Sequence, residues 1–118
     1  MSKRDDQVSL KDMLGHACEA VELLGKTGRE NLGRNRIMQL ALTRLVEIVG
    51  EAANRVSPET RQQTSAIPWP QIIGMRNRLV HGYDVIDYEL LWDTVTNDLP
   101  PLIAALLEIE KQGDRLKD

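Results

Sequence analysis

One run of eight residues, Arg76-Asn77-Arg78-Leu79-Val80-His81-Gly82-Tyr83, holds two arginines, a histidine and a tyrosine. Arginine offers a fixed cationic fork for phosphate oxygens. Histidine is the side chain best placed to move protons near neutral pH. The pair suits phosphodiester chemistry without a metal. On a helix, Asn77 and His81 are four apart and share a face, so the amide could orient the imidazole. Arg76 and His81 are five apart, about 140° around the axis. A long arginine, or an irregular helix end near Gly82, can bring both to one pocket, with Tyr83 in the loop beside it. The same residues admit a plainer role. Arg76 and Arg78 can form surface ion pairs, and His81 can sit as a cation against a helix C-terminus. Spacing alone does not separate the two readings.

The elements that must position this run come from an ordinary helical composition. The chain has 118 residues, enough for one compact domain with a real core. Aromatics are 3% and Phe is absent, so Leu, Ile, Val, Ala and Met must build the core. The single cysteine, Cys18, excludes an intramolecular disulfide and reads as a small core residue in a reducing, cytoplasmic setting. Met1 to Asp6 is charged and no secretory h-region follows. No apolar run approaches the ~20 residues of a membrane span. His16 and His81 are the only histidines, and no clustered carboxylates frame either, so no metal site and no cofactor are expected. His16 itself reads as a structural or surface residue.

The net charge of -3 argues against a nucleic-acid partner until its distribution is considered. Residues 23–78 carry nine basic and four acidic groups, a net of +5, and all the basic ones but Lys26 are arginine. The flanking segments are acidic. A fold that gathers those arginines would make a phosphate site on an acidic protein; chance differences between solvated faces would give the same numbers.

Apolar spacing predicts an all-α, up-and-down bundle of four to five helices. Ser9-x-x-Asp12 resembles a capping box that opens a first helix, closed by Gly25 and Gly28. A second helix runs from about Asn35 to Val56. Its apolar face, from Ile37 and Leu40/Ala41 through Ala52, is broad enough for a bundle interior or a dimer interface. Gly50 costs that helix ~1 kcal/mol against Ala, which close approach by a neighbouring backbone would compensate. Glu47, Glu51 and Asn54 read as a polar edge. Ser57-Pro58-Glu59 opens a short helix. Pro70 belongs to the first turn of the next, which carries the motif as far as Gly82. Val85-Ile86 is an extended link, Asp87 caps the last helix, and Pro100-Pro101 should kink or split it.

The run at 76–83 matches the R-x-x-x-x-H-x-Y motif and resembles the HepT-like toxins, a branch of the HEPN superfamily. Ile48-Val49-Gly50-Glu51-Ala52-Ala53 resembles the family's second helix. Ile67 to Asn77 resembles its approach to the motif, and Tyr83 through Trp92 and Asp98-Leu99-Pro100 continue it. The likeness covers about residues 8 to 110 of a single HEPN-like domain spanning 1–118, with frayed ends.

The resemblance implies the toxin component of a type VII-like toxin–antitoxin pair. Such a toxin is a metal-independent endoribonuclease that cleaves RNA through attack by the ribose 2′-OH. Its partner is a minimal nucleotidyltransferase (MntA-like) antitoxin. The family's arginine and histidine fall on Arg76 and His81, its polar residue on Asn77, and its AMP-accepting tyrosine on Tyr83. Arg78 is assigned to RNA or antitoxin contact. The resemblance also implies a homodimer in which two motifs face each other to form a composite site. The alternative is a non-catalytic helical module that binds a nucleotide or the nucleotidyltransferase.

Overall fold

The computed structural model describes residues 3–82 and 85–116, so Tyr83 lies outside the described residues. Three long helical stretches form the body. They are α1 (Lys3–Leu24), α3 (Arg36–Arg55) and a final run of α7 (Tyr88–Asp93), a π-helical turn (Thr94–Asp98) and α8 (Leu99–Leu116). Met13, Ala17 and Ala20 of α1 meet Leu42, Val46, Val49 and Ala53 of α3, and the last run closes the core with Leu91, Val95, Leu99, Leu102 and Leu106. Short helices fill the connections: α2 (Arg29–Arg34), α4 (Pro58–Gln63), α5 (Trp69–Ile73) and α6 (Met75–Leu79). Two-residue strands β1 (Val80–His81) and β2 (Val85–Ile86) pair antiparallel, His81 opposite Val85. The all-α class predicted from the sequence is the class observed, with this small ribbon added.

Capping chemistry sets most of the helix ends. The Asn35 side chain accepts the Met38 N–H and opens α3. Ser57 accepts from Thr60 with Pro58 behind it and opens α4. Asp87 accepts from Leu90 and opens α7. Ser9, by contrast, is not a cap. It is buried inside α1, which begins at least as early as Lys3. The carboxylate that matters there is Asp6, also buried. It accepts from the Ser57 backbone N–H at 3.0 Å and from the Ser57 and Thr60 hydroxyls at 2.6 Å each, fastening α1 to the start of α4.

The proline pair splits the last helical run, as expected, through a π turn that joins α7 to α8. Pro100 and Pro101 have no N–H to return to Thr96 and Asn97, and their rings crowd those carbonyls. The backbone relaxes into a π turn in which the Leu99 N–H reaches Thr94 O. The Thr96 hydroxyl takes the Trp92 carbonyl at 2.7 Å.

Gly50 is where the fold acts on the motif. A Cβ there would lie 3.1 Å from the Ile73 carbonyl oxygen and 3.2 Å from that of Ile72. The backbone of α5 therefore rests directly on α3, which explains a mid-helix glycine. Gly74 then breaks the expected single helix into α5 and α6.

Candidate active site

The close seat of α5 on Gly50 delivers α6 beside the middle of α3. There Arg76 and Asn77 line an open cleft of about 230 Å³ with Glu47, Gly50, Glu51, Asn54 and Ile73. Arg76 Nε stands 3.2 Å from Glu47 Oε2. The other oxygen of Glu47 accepts from Arg44, which also lies 3.5 Å from Glu51. One carboxylate thus bridges two guanidinium groups, and its hydrogen bond raises the pKa of Arg44. Arg76 is 44% exposed, so its unbonded N–H groups face solvent while its Nε edge is fixed.

His81 stands apart from this cleft. The helix that carries Arg76 ends at Leu79, so His81 sits on β1 and the helical four-residue relation to Asn77 does not form. Its neighbour is Asp87. Oδ2 of Asp87 lies 3.6 Å from His81 Nε2, close enough to attract an imidazolium. Oδ1 of the same residue caps α7, and its backbone N–H donates to Leu79 O at 2.7 Å. Asp87 is therefore pinned through Oδ1 and its backbone N–H, whereas the imidazole is 63% exposed. Gly82 follows at φ +66°, the left-handed turn that lets β1 double back toward β2.

Of the residues singled out in the sequence, the structure brings Arg76 and Asn77 into one cleft. It leaves His81 on the adjacent ribbon, and it turns Arg78 away. Arg78 lines a separate cleft of about 280 Å³ with Gln71, Asn97 and Asp98, and donates to Gln71 O at 3.4 Å. His16 bonds the Asp12 carbonyl and Cys18 is partly buried, both within α1. Sequence reasoning passed over Glu47 and Asp87 as site residues. The signal for Glu47 was present: it lies one turn before Gly50, where a neighbouring backbone was expected to approach.

Comparison with known proteins gives the class to which this helical bundle belongs. The family described as Ribonuclease HepT-like matches residues 13–109. A Methanocaldococcus jannaschii protein named as an RNase is 35% identical over 102 residues, covering 86% of this chain and 94% of its own. A Thermococcus cleftensis protein named as ribonuclease HepT is 33% identical over 107 residues, covering 87% of this chain and 97% of its own. No solved structure matches the chain. The chain belongs to the HepT-like ribonuclease family. No helix among the described residues is long and apolar enough to cross a membrane.

Proposed function

We propose that this chain is a metal-independent endoribonuclease and the toxin of a toxin–antitoxin pair neutralised by a minimal nucleotidyltransferase. The observation that carries the reading is the division of labour around the motif. Arg76 is held by one edge with its remaining donors open, and His81 is exposed beside a pinned carboxylate. Arg76 binds the scissile phosphate and stabilises charge on its non-bridging oxygens, with Asn77 positioning that phosphate. His81 takes the proton of the 2′-OH as that oxygen bonds to phosphorus, or returns one to the departing 5′ oxygen. The products are a 2′,3′-cyclic phosphate and a 5′-hydroxyl. RNA is required because the 2′-OH is the nucleophile.

One histidine fills one of the two proton-transfer roles, and a second copy of the chain supplies the other. Ile37 and Leu40 support this arrangement. They are 80% and 49% exposed, on the α3 face that continues through Ala41 and Arg44 to Glu47. Burying that face against its twin would set two motifs near each other. Leu40→Lys should convert a dimer to a monomer in light scattering and lower cleavage with it.

The decisive assay is purified protein with RNA and EDTA, wild type against His81→Ala. Cleavage by the wild type alone, leaving cyclic phosphate ends, supports the enzyme. If neither protein cuts and Arg76→Ala abolishes nucleotide binding, the chain is a non-catalytic binding module instead. For control by the partner, Tyr83 is the proposed AMP acceptor, placing bulk and negative charge beside the motif. Incubation with the nucleotidyltransferase and ATP should add AMP mass to wild type and not to Tyr83→Phe.

A further inference from the structure

We propose that the corner between α2 and α3 is a second phosphate-binding site that holds the RNA strand beyond the reacting nucleotide. The proposal rests on the ribonuclease reading above. The corner forms an open concavity of about 660 Å³, and Lys26, Arg34 and Arg36 line it together with Thr27, Asn31, Asn35 and Ile37, so it adjoins the exposed α3 face proposed to meet a second copy. Three cations and three short polar side chains thus face one hollow, on a chain whose net charge is -3. Among the described residues no carboxylate forms an ion pair with Lys26 or Arg34. Arg36 has a contact of its own, so the available charge is that of Lys26 and Arg34.

The corner is built rather than incidental. Gln39 is buried, and its side-chain amide donates to the Leu32 carbonyl at 2.9 Å, bolting α2 to the first turn of α3. Leu32 is itself fully buried. The polar face of α2 is therefore held at a fixed angle to α3. A buried glutamine in the apolar face of α3 has a clear use only if that angle matters.

Helix α2, one wall of the corner, also packs on the helix that follows the motif. A Cβ on Gly33 would lie 2.9 Å from the Tyr88 ring, so α2 rests on the first residue of α7. The residue before Tyr88 is Asp87, the partner of His81. A strand whose scissile phosphate lies at Arg76 and His81 can run past the start of α7 into the basic hollow. Such a groove reads backbone and not base, because lysine and arginine meet phosphates without regard to sequence.

The test is the salt dependence of binding. The probe is a labelled single-stranded RNA of mixed sequence, titrated into His81→Ala protein so that the strand stays intact. Adding Lys26→Gln and Arg34→Gln should weaken binding roughly tenfold at moderate salt and reduce the log–log salt slope by about 1.4, the value for two lost phosphate contacts on a single strand. Arg34→Lys, which keeps the charge, should restore its share of the slope. Lys11→Ala, which removes an exposed cation from a cleft between α1 and α8, should change it much less. Circular dichroism melts check that the variants are folded, and both replaced side chains are exposed. An unchanged slope in the folded double variant overturns the proposal, as does a drop no larger than that of Lys11→Ala. Loss of complex with the nucleotidyltransferase without a change in RNA slope also overturns it and assigns the corner to a protein partner. Wild-type cleavage is scored separately. Cutting with an unmoved slope removes this site and leaves the ribonuclease reading intact, whereas a lowered slope without cutting does the reverse.

Discussion

The cleft between α3 and α6 and the ribbon that carries His81 lie a few residues apart in sequence, yet they are built in opposite ways. Arg76 is fixed by a carboxylate from another helix, on a helix seated backbone to backbone on Gly50. His81 sits on a two-residue strand, mostly exposed, with one carboxylate at 3.6 Å. A group that stabilises charge works best when it is preorganised. A group that must accept and release a proton works best where solvent can exchange with it. The two constructions suit the two tasks proposed for them, and each can be broken separately.

The largest effect should come from the ribbon. His81→Ala should lower cleavage by about 10²- to 10⁴-fold, the usual worth of a general acid or base. The side chain is exposed, so the urea midpoint should barely move. A large loss of stability would mean that the imidazole is structural and the contrast is misdrawn.

The cleft should respond the other way. Gly50→Ala gains ~1 kcal/mol of helix propensity but drives a methyl against two backbone carbonyls. Overpacking of this kind costs about 1–3 kcal/mol. Net destabilisation in urea, with cleavage falling in the folded fraction, would show that the seat of α5 sets the position of Arg76.

A third variant touches neither region. Asp6→Asn loses two of the three hydrogen bonds to Ser57 and Thr60 and should cost roughly 1–2 kcal/mol while the folded enzyme keeps its rate. Burial pushes the Asp6 carboxyl up, but its hydrogen bonds outweigh that and hold it below the ordinary value of 3.8. Its contribution is therefore complete above that value and lost as pH falls through the lower folded-state value. Acid titration of stability should be shallower in Asp6→Asn than in wild type.

The smallest effect belongs to Glu47→Gln. The ion pair with Arg76 is half exposed and salt-screened, worth about 0.2–1 kcal/mol. Cleavage should fall by roughly 1.5- to 5-fold.

What was legible in the sequence was local. Asn35, Ser57 and Asp87 stand one residue before their helices, where a short polar side chain can reach the first free N–H groups. Gly50 announced a close approach because nothing in its own helix explains it. What was not legible depended on distant partners. Ser9-x-x-Asp12 has the letters of a cap, yet α1 runs through it, with Asp6 reaching 51 residues ahead to Ser57. Helix α2 has six residues, a glycine and one buried side chain, too little periodicity to read, and it exists because Gln39 and Tyr88 hold it. The turn from α6 into the ribbon removed the helical alignment of Asn77 with His81. Glu47 joined the site only because α5 came close.

The seat at Gly50 also limits how the chain can drift in evolution. Its neighbours are the carbonyl oxygens of Ile72 and Ile73, not their side chains. A larger residue at 50 could be accommodated by trimming a facing side chain, but a peptide oxygen cannot be trimmed. No single replacement at 72 or 73 can act as a suppressor, so residue 50 should stay small in any variant that keeps its arginine in register, although it takes no part in the chemistry.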